Sequence, residues 1–319
     1  MSELLELSII VVNWNVCELL ESCLLSIRQY AGLPPEKYEV HVIDNNSSDN
    51  SVDMVREKFP EFLLTANSDN KGFGRANNQA FPQCRGKYIL LLNPDAEVRE
   101  KAITQMLKLM DSMPDAGILG ARLLNSDGSF QRASGGALPT LNNIAWHWLN
   151  LFRLLPKSWA PQPTFLIEDR QGTFDIGWVS GAALMIRPAA VGNNIFDPQF
   201  FMYGEDLELC DRVQNSGWRV LYTSKASVMH HLRQSVSKQS SAEILASVVK
   251  GNRAYFRNRH GQLRTWIYDL LLTCGYSARW CCFAVLSIVG NDPSYAEQGS
   301  MNRHHAGVAF KSFLRCGRQ

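Results

Sequence analysis

The sequence predicts an α/β fold on an open, largely parallel sheet, and three observations predict it. Residues 1–100 run four times through a short stretch of branched apolar residues, a polar loop and an amphipathic segment, the texture of βα units. Lys87–Leu92 is nearly all apolar, as a strand covered on both faces must be. An acid or an amide follows each of the four runs, at the carboxyl edge where open α/β sheets hold their ligands.

Leu7–Val12 reads as the first strand, and Glu18–Tyr30 as a helix with Leu19, Leu20, Cys23, Leu24 and Ile27 on one face. Tyr38–Ile43 is the second strand, and the loop Asp44–Asp49 offers side-chain caps to a helix around Val52–Phe59. Glu61–Thr65 is the third strand. The glycine-bearing loop Asn70–Gly74 leads into a helix at Arg75–Phe81, and Lys87–Leu92 is the fourth strand of a sheet of nucleotide-binding type. A helix at Glu100–Met113 ends before Pro114, and Ala116–Leu124 with Ser129–Ala133 flank the turn Asn125–Gly128 as a hairpin. Residues 135–175, rich in proline and tryptophan and without a clear period, read as a long loop or lid. Trp178–Arg187 is a strand, Glu205–Asn215 a helix closed by Gly217, and Trp218–Tyr222 a strand, so the second half is mixed. A helix near Ala242–Arg259 leads into an apolar, basic tail. The organisation expected is one domain over 1–260, in halves of about 1–115 and 116–260, followed by a helical tail at 261–319.

The 319 residues suffice for a domain of this size with an appendage. With 45% apolar and 19% charged residues, disorder and a coiled coil are both disfavoured. A net charge of +2 is too small a field to argue for nucleic acid as a partner. Its distribution says more: residues 250–319 carry +7 and residues 1–249 carry −5. The eight cysteines show no Cys-x-x-Cys spacing, so neither disulfides nor zinc are expected. Leu7–Val12 is too short, and follows Glu3 and Glu6 in place of basic residues, to be a signal peptide. Leu263–Gly290 is interrupted by Asp269 and Arg279, leaving apolar pieces shorter than the roughly 20 residues a membrane span needs.

Four loops converge on the predicted edge: Asn13-Trp14-Asn15, Asp44-Asn45-Asn46, Asn67 to Gly72, and Asn93-Pro94-Asp95. Singly, each Asp or Asn is accounted for as a helix cap; together they exceed what solvation requires. Gly72-Phe73-Gly74-Arg75 looks like a phosphate-binding turn, but Asn77 stands where a dinucleotide fingerprint has its third glycine, and no Walker lysine follows. Asp95 is either a turn aspartate or a ligand for a hard divalent ion that takes its other ligands from a diphosphate. Glu205-Asp206 opens a helix after the aromatic run Phe200–Tyr203 and Gly204. The pair either complements the helix dipole or forms a site beside a sugar-stacking wall. His230 and His231 follow a short strand and point opposite ways, so at most one serves a site.

Taken in order, these segments make the sequence resemble the inverting, GT-A-fold glycosyltransferases of family 2, in particular the bacterial rhamnosyltransferase-like members. The matching stretches are Ser8–Asn15, Val42–Asp49, Asn70–Asn78, Leu90–Asp95, Ser180–Ala183 and Tyr203–Arg212, within a resemblance covering residues 7–260. It implies a Rossmann-like nucleotide half, a mixed-sheet acceptor half and a helical C-terminal tail. Asp44 then accepts the imide N–H of a uracil or thymine base, with Asn13 against the same nucleotide and Asn45, Asn70, Gly72, Arg75, Asn78 and Asn93 around it. Asp95 stands as the last acid of the family's Asp-x-Asp metal motif, with Asn93 in place of the first. The implied cofactor is Mg²⁺ or Mn²⁺, and the late histidine that completes its shell is assigned to His231, with His230 as the alternative. Asp206 is the implied catalytic base. Trp178, Gly181, Glu205 and Arg212 support the acceptor side, Arg212 against either Asp206 or the diphosphate.

The expected activity is metal-dependent transfer, with inversion, of rhamnose from dTDP-rhamnose, or of another sugar carried on UDP or dTDP. The acceptor expected is a hydroxyl of a lipid-linked or cell-wall glycan, as in polysaccharide biosynthesis. Two other readings are a sugar nucleotidyltransferase, which has a glycine-rich, basic signature where this chain has Asn13-Trp14-Asn15, and a nucleotide-sugar-binding module without turnover. The retained Glu205-Asp206 pair stands against the latter. The expected location is cytoplasmic, with residues 260–319 peripheral on the anionic inner face of the cell membrane; the rival is a tail packed on the protein or on a second subunit.

Overall fold

The computed structural model describes residues 5–149, 151, 156–231, 241–289 and 294–315; Cys316 lies outside them. The chain divides into two compact units, residues 1–138 with 165–237, and residues 139–164 with 238–319.

Unit one begins with β1 (Leu5–Asn13), α1 (Cys17–Tyr30), β2 (Tyr38–Asp44), α2 (Ser51–Lys58), β3 (Leu63–Ala66), α3 (Phe73–Ala80) and β4 (Gly86–Leu92). β1 pairs in parallel with β2 and β4, and β2 with β3, which is the parallel half expected from the four apolar runs. The runs are continuous because both faces of the sheet are covered: Leu7, Ile9, Val11, Leu90 and Leu92 lie with Leu20, Leu24 and Ile27 of α1 in one core. There follow β5 (Ala96–Val98), α4 (Ala102–Ser112), β6 (Ala116–Leu124) and the short β7 (Gly135–Gly136). After α5 (Leu141–Trp148), which belongs to unit two, come β8 (Thr173–Asp175), β9 (Trp178–Val179), β10 (Ala183–Ile186), α6 (Glu205–Asn215) and β11 (Arg219–His230). The sheet order is β3-β2-β1-β4-β10-β6-β11-β5, with β8 on β11 and a separate β7-β9 pair. β10 runs antiparallel to both β4 and β6, which makes the sheet mixed.

Several expected elements take another form. The hairpin at 116–133 reduces to one bridge, Leu124 to Phe130, because residues after Phe130 turn into a 3-10 turn at Arg132–Ser134. The strand Trp178–Arg187 is two strands, β9 and β10, in different sheets. Trp218–Tyr222 is the start of a twelve-residue strand. Residues 135–175 are not one long loop: α5 is set by a capping box in which Thr140 and Asn143 satisfy each other's backbone N–H groups.

Unit two is helical: α5 packs with α7 (Ser241–Val289), and α7 with α8 (Ser294–Arg315). Gly261, at φ 79°, breaks α7 where the sequence places the boundary between domain and tail. The two halves of α7 stay together across that break, since Phe256 stacks on Tyr268 with ring centroids 4.9 Å apart and Arg253 Nε binds Asp269 Oδ2 at 2.9 Å. The residues before 260 therefore belong with the tail. Asp269 is wholly buried in that pair, so it does not interrupt the helix surface. By length and composition the stretch Ser247–Val289 is also long and apolar enough to cross a membrane, with a mean hydropathy of 1.4 over its 18-residue window, where the sequence led us to expect only short pieces.

Candidate active site

Parallel pairing of β1 and β2 puts Asn13 beside Asp44 at the carboxyl edge. Asp44 is 2% exposed. Its Oδ1 accepts from Asn13 Nδ2 at 2.8 Å and from Ser47 Oγ at 2.6 Å, and its Oδ2 accepts from the Ser47 N–H at 2.8 Å. A carboxylate has about four acceptor sites, so one further N–H can be taken, which is what a base imide offers. Asn13 Oδ1 is a buried acceptor with no hydrogen-bond partner among the described residues. Asn45 continues the row: it donates to the Gly72 carbonyl at 3.2 Å and accepts from Asn67 at 3.0 Å.

The glycine loop is braced by its own side chains and by the segment 196–201. Asn70 Oδ1 accepts the Gly72 N–H at 2.9 Å, and Gly72 sits at φ 81°, a left-handed conformation that suits glycine. A Cβ there would stand 2.6 Å from the Phe201 carbonyl oxygen. Phe73 N–H donates to that same oxygen at 3.1 Å, Arg75 Nε donates to the Pro198 carbonyl at 3.0 Å, and the Asn78 amide binds the Phe196 backbone at both ends, at 2.7 and 2.9 Å. Gly72, Arg75 and Asn78 thus fasten the segment 196–201 that leads to the acidic pair.

At the end of β4, Asp95 is 2% exposed. β11 pairs with β5 so that His230 lies opposite Ala96, and His230 Nε2 is 3.3 Å from Asp95 Oδ1 and 3.3 Å from Asn93 Nδ2. His231, which the resemblance favoured, is turned away: its Nε2 meets Glu97 at 2.9 Å and its Nδ1 meets Ser126 at 2.7 Å. Neighbouring residues on an extended chain face opposite sides, and the sheet assigns the inner side to His230. Gln131, which the sequence does not single out, fixes that ring. Its amide nitrogen donates to Asn125 Oδ1 at 3.0 Å and to the His230 carbonyl at 3.2 Å, so its Oε1, 2.8 Å from His230 Nδ1, accepts. Nδ1 then carries the proton and Nε2 the lone pair, directed toward Asn93 and Asp95.

A carboxylate and an imidazole nitrogen suit a divalent ion. No group of three His, Cys, Asp or Glu able to hold an ion occurs among the described residues. The donors present therefore fit an ion shared with a diphosphate, not one caged by protein alone.

The acidic pair follows a strained turn. Tyr203 is at φ 67°, rare for a side chain of that size, and Gly204 at φ 86° precedes the first turn of α6. Glu205 is 7% exposed, and its Oε2 has no hydrogen-bond partner among the described residues. Burial, and then the charge of Asp206, hold its carboxyl above the ordinary range. Asp206 is half-buried and also raised, by burial; the N–H groups of Leu207, at 2.9 Å, and of Gly181 bind it and pull the other way. The Tyr203 phenol is raised by burial, then by the charges of Glu205 and Asp95.

The other acceptor-side residues divide. Gly181 reaches Asp206, and Ala182 next to it accepts from the Asn93 N–H at 3.0 Å, linking the two centres. Trp178 is buried edge-on to Phe165, with centroids 5.7 Å apart. Among the described residues Arg212 turns to neither Asp206 nor the strand ends: it pairs with Glu208 at 2.8 Å and binds the Ile195 and Val191 carbonyls at 2.6 and 3.3 Å, six residues beyond Asp206 on α6. Its spacing from Glu208, four residues on a helix, was the available signal.

With this geometry in hand, known proteins are informative. Residues 8–189 match the family described as glycosyl transferase family 2. An N-acetylglucosaminyl-diphospho-decaprenol L-rhamnosyltransferase of Mycobacterium tuberculosis is 27% identical over 270 residues, which is 80% of this chain and 85% of that protein. The rhamnosyltransferase WbbL of Escherichia coli K12 is 25% identical over 168 residues, 50% of this chain and 61% of its own. Among solved structures, the mannosyltransferase PcManGT of Pyrobaculum calidifontis, with GDP-Man and Mn²⁺, superposes with a TM-score of 0.57 at 15% identity, over 97% of this chain and 87% of that one. GalNAc-T7 with UDP, GalNAc and Mn²⁺ gives 0.55 at 14% identity, over 81% and 51%. The fold is thus of the GT-A type.

Proposed function

This chain belongs to glycosyl transferase family 2, and from that premise we propose that unit one transfers rhamnose from dTDP-rhamnose, or another sugar carried on dTDP or UDP, with inversion, to a hydroxyl of a lipid-linked glycan precursor of the cell wall. The observation that carries the reading is the row of strand-end groups, Asp44 bound by Asn13 and Asp95 beside His230 Nε2, tied through the Asn93 N–H and the Ala182 carbonyl to the segment whose Gly181 N–H meets Asp206. The sugar and the acceptor are carried by the M. tuberculosis relative, whose name specifies L-rhamnose and a diphospho-decaprenol.

In this mechanism Asp44 takes the base imide N–H with its remaining lone pair, beside Asn13 and Asn45. Asp95 and His230 Nε2 would hold Mg²⁺ or Mn²⁺ together with diphosphate oxygens, and the ion when bound neutralises the charge that develops on the leaving diphosphate. Asp206 accepts the proton of the acceptor hydroxyl as that oxygen bonds to the anomeric carbon and the bond to the diphosphate oxygen breaks. Burial suits it to this, because a carboxylate raised above its usual range is a better base near neutrality. Glu205 positions the first turn of α6. The lipid acceptor and the +7 charge of residues 250–319 support action at the cytoplasmic face of the membrane.

The test is incubation of the full chain with labelled dTDP-rhamnose or UDP-sugars and a polyprenyl-diphosphate-linked acceptor, with Mg²⁺ or Mn²⁺. Transfer of label to the lipid is the result expected. Exchange of label with pyrophosphate, or binding without transfer, would replace this reading by a nucleotidyltransferase or a binding module. A melting-temperature screen over nucleotide sugars identifies the donor, since a bound ligand stabilises by RT ln(1 + [L]/Kd).

A further inference from the structure

Behind the break at Gly261, α7 has two unlike faces. Thr265, Tyr268, Asp269, Leu272 and Tyr276 are buried, the apolar ones in a core with Ile144 of α5 and Ala306 and Ala309 of α8. On the other side Leu263, Trp266, Leu270, Cys274, Cys281 and Ile288 follow one another at steps of three, four or seven, which places them on one line along the helix. All are exposed, Leu263 at 73% and Ile288 at 84%. The line is about 37 Å long at 1.5 Å per residue, and no charged residue falls on it. A soluble helix puts its polar residues on the face its neighbours leave open; here that face is apolar.

Within residues 250–289 the exposed charges have one sign. Asp269 is the only acid between residues 250 and 289, and it is buried against Arg253. Arg257, Arg259 and Arg264 are exposed at the start of the line, and Arg303 of α8 lies over the Trp280 ring at 5.5 Å from its centroid. We propose that this face of α7 docks unit two on an anionic lipid surface, with the helix lying in the interfacial plane, the apolar line immersed and the arginines against the headgroups. A second copy of the chain would bring like charge against like. A helix crossing the bilayer would have to expose to lipid, or carry with it, the packed face that holds Asp269 and Arg253.

The proposal deepens the reading of a lipid-linked acceptor, and rests on it only for its purpose, since its test does not use the reaction. The full chain is sedimented with phosphatidylcholine vesicles with and without phosphatidylglycerol, at low and high salt. It is expected to bind the phosphatidylglycerol vesicles at low salt, with Trp fluorescence quenched by lipids brominated near the headgroup. Leu270→Glu with Ile288→Glu, at exposed positions that leave the core intact, should weaken binding at least about tenfold at either salt. Arg264→Glu should weaken it at low salt only. Melting temperature and its rise with the donor nucleotide should not change in these variants, which separates loss of docking from loss of the proposed catalytic site. No binding by the wild-type chain, or equal binding by Leu270→Glu/Ile288→Glu, overturns the proposal. So does a lipid-free dimer abolished by the same substitutions, which would make the face a contact between copies, or resistance of the wild type to alkaline extraction, which would make α7 a span.

Discussion

At the strand-end edge of unit one, Asp44, Asp95, Glu205 and His230 are buried, whereas along α7 of unit two Leu263, Val285, Ile288 and Val289 are more than half exposed. Each region inverts the usual partition, the first by taking charge out of water and the second by leaving apolar surface in it. Such inversions cost stability and are kept where something else is gained. Buried charge concentrates a field on a small volume, which is what a leaving diphosphate and an attacking hydroxyl need. Exposed apolar surface gains only when another apolar phase covers it. On the readings proposed above, the comparison would divide the work: unit one for chemistry, unit two for placement.

That division can be broken by experiment. The largest effect expected is for Asp95→Ala, which should lower transfer by about 10³-fold or more, because it removes the one carboxylate at the divalent-ion site. Circular dichroism and the melting temperature should be near wild type, since the residue adds little to the core, and excess EDTA on the wild type should reproduce the loss. Undiminished transfer in EDTA would count against the ion. Next is Asp206→Asn, expected to lower kcat by about 10²- to 10⁴-fold while donor affinity holds, as removal of a general base should. Single-turnover transfer and donor titration on this variant and on Glu205→Gln, whose loss should be smaller, decide which carboxylate takes the proton.

Gln131→Leu is a milder probe of the same centre. It frees the His230 ring to turn, and should weaken Mn²⁺ binding about 10- to 100-fold in a direct titration, with the fold retained.

A still smaller effect is thermodynamic. Glu205 is raised from an ordinary value of 4.5 by burial and by Asp206. From that value up to the raised native one the folded state binds the proton more tightly than the unfolded chain, so stability falls as pH rises through that window and levels off above it. Glu205→Gln should flatten this fall, measured as melting temperature from pH 4.5 to neutrality and above. A steeper fall would mean that the carboxylate is stabilised, not strained, by its surroundings. Last, Gly72→Ala should destabilise the fold both through its positive φ, about 1–3 kcal/mol, and through the 2.6 Å approach of the new Cβ to the Phe201 carbonyl, read by denaturant unfolding.

The parallel half of the sheet was legible because each strand announces itself locally. Ile9–Val12 and Ile89–Leu92 are unbroken apolar runs, and a run of that kind between amphipathic segments has few other uses. The acidic pair at the start of α6 was legible for the same reason, since Gly204 and the first turn of carboxylates mark a helix N-terminus within five residues. The three residues of β5, and the placing of β10 antiparallel between β4 and β6, have no such mark. Period describes a segment, and pairing is a property of two.

Local sequence thus decides which residue types stand at the ends of the strands: Asn13, Asp44, Asn93, Asp95 and the pair Glu205-Asp206. Their assignment to tasks belongs to the tertiary structure. His230 and His231 are chemically equal neighbours, and only the pairing of β11 with β5 turns the first toward Asp95. Gln131, which holds that ring, is 99 residues away along the chain. Arg75, Asn78 and Arg212 carry the right groups for a diphosphate, yet the fold engages them with the backbone carbonyls of residues 191–198. Hydrogen bonds act over about 3 Å, and which groups come within that distance across a hundred residues is set by the packing of the sheet, which no single stretch of sequence contains.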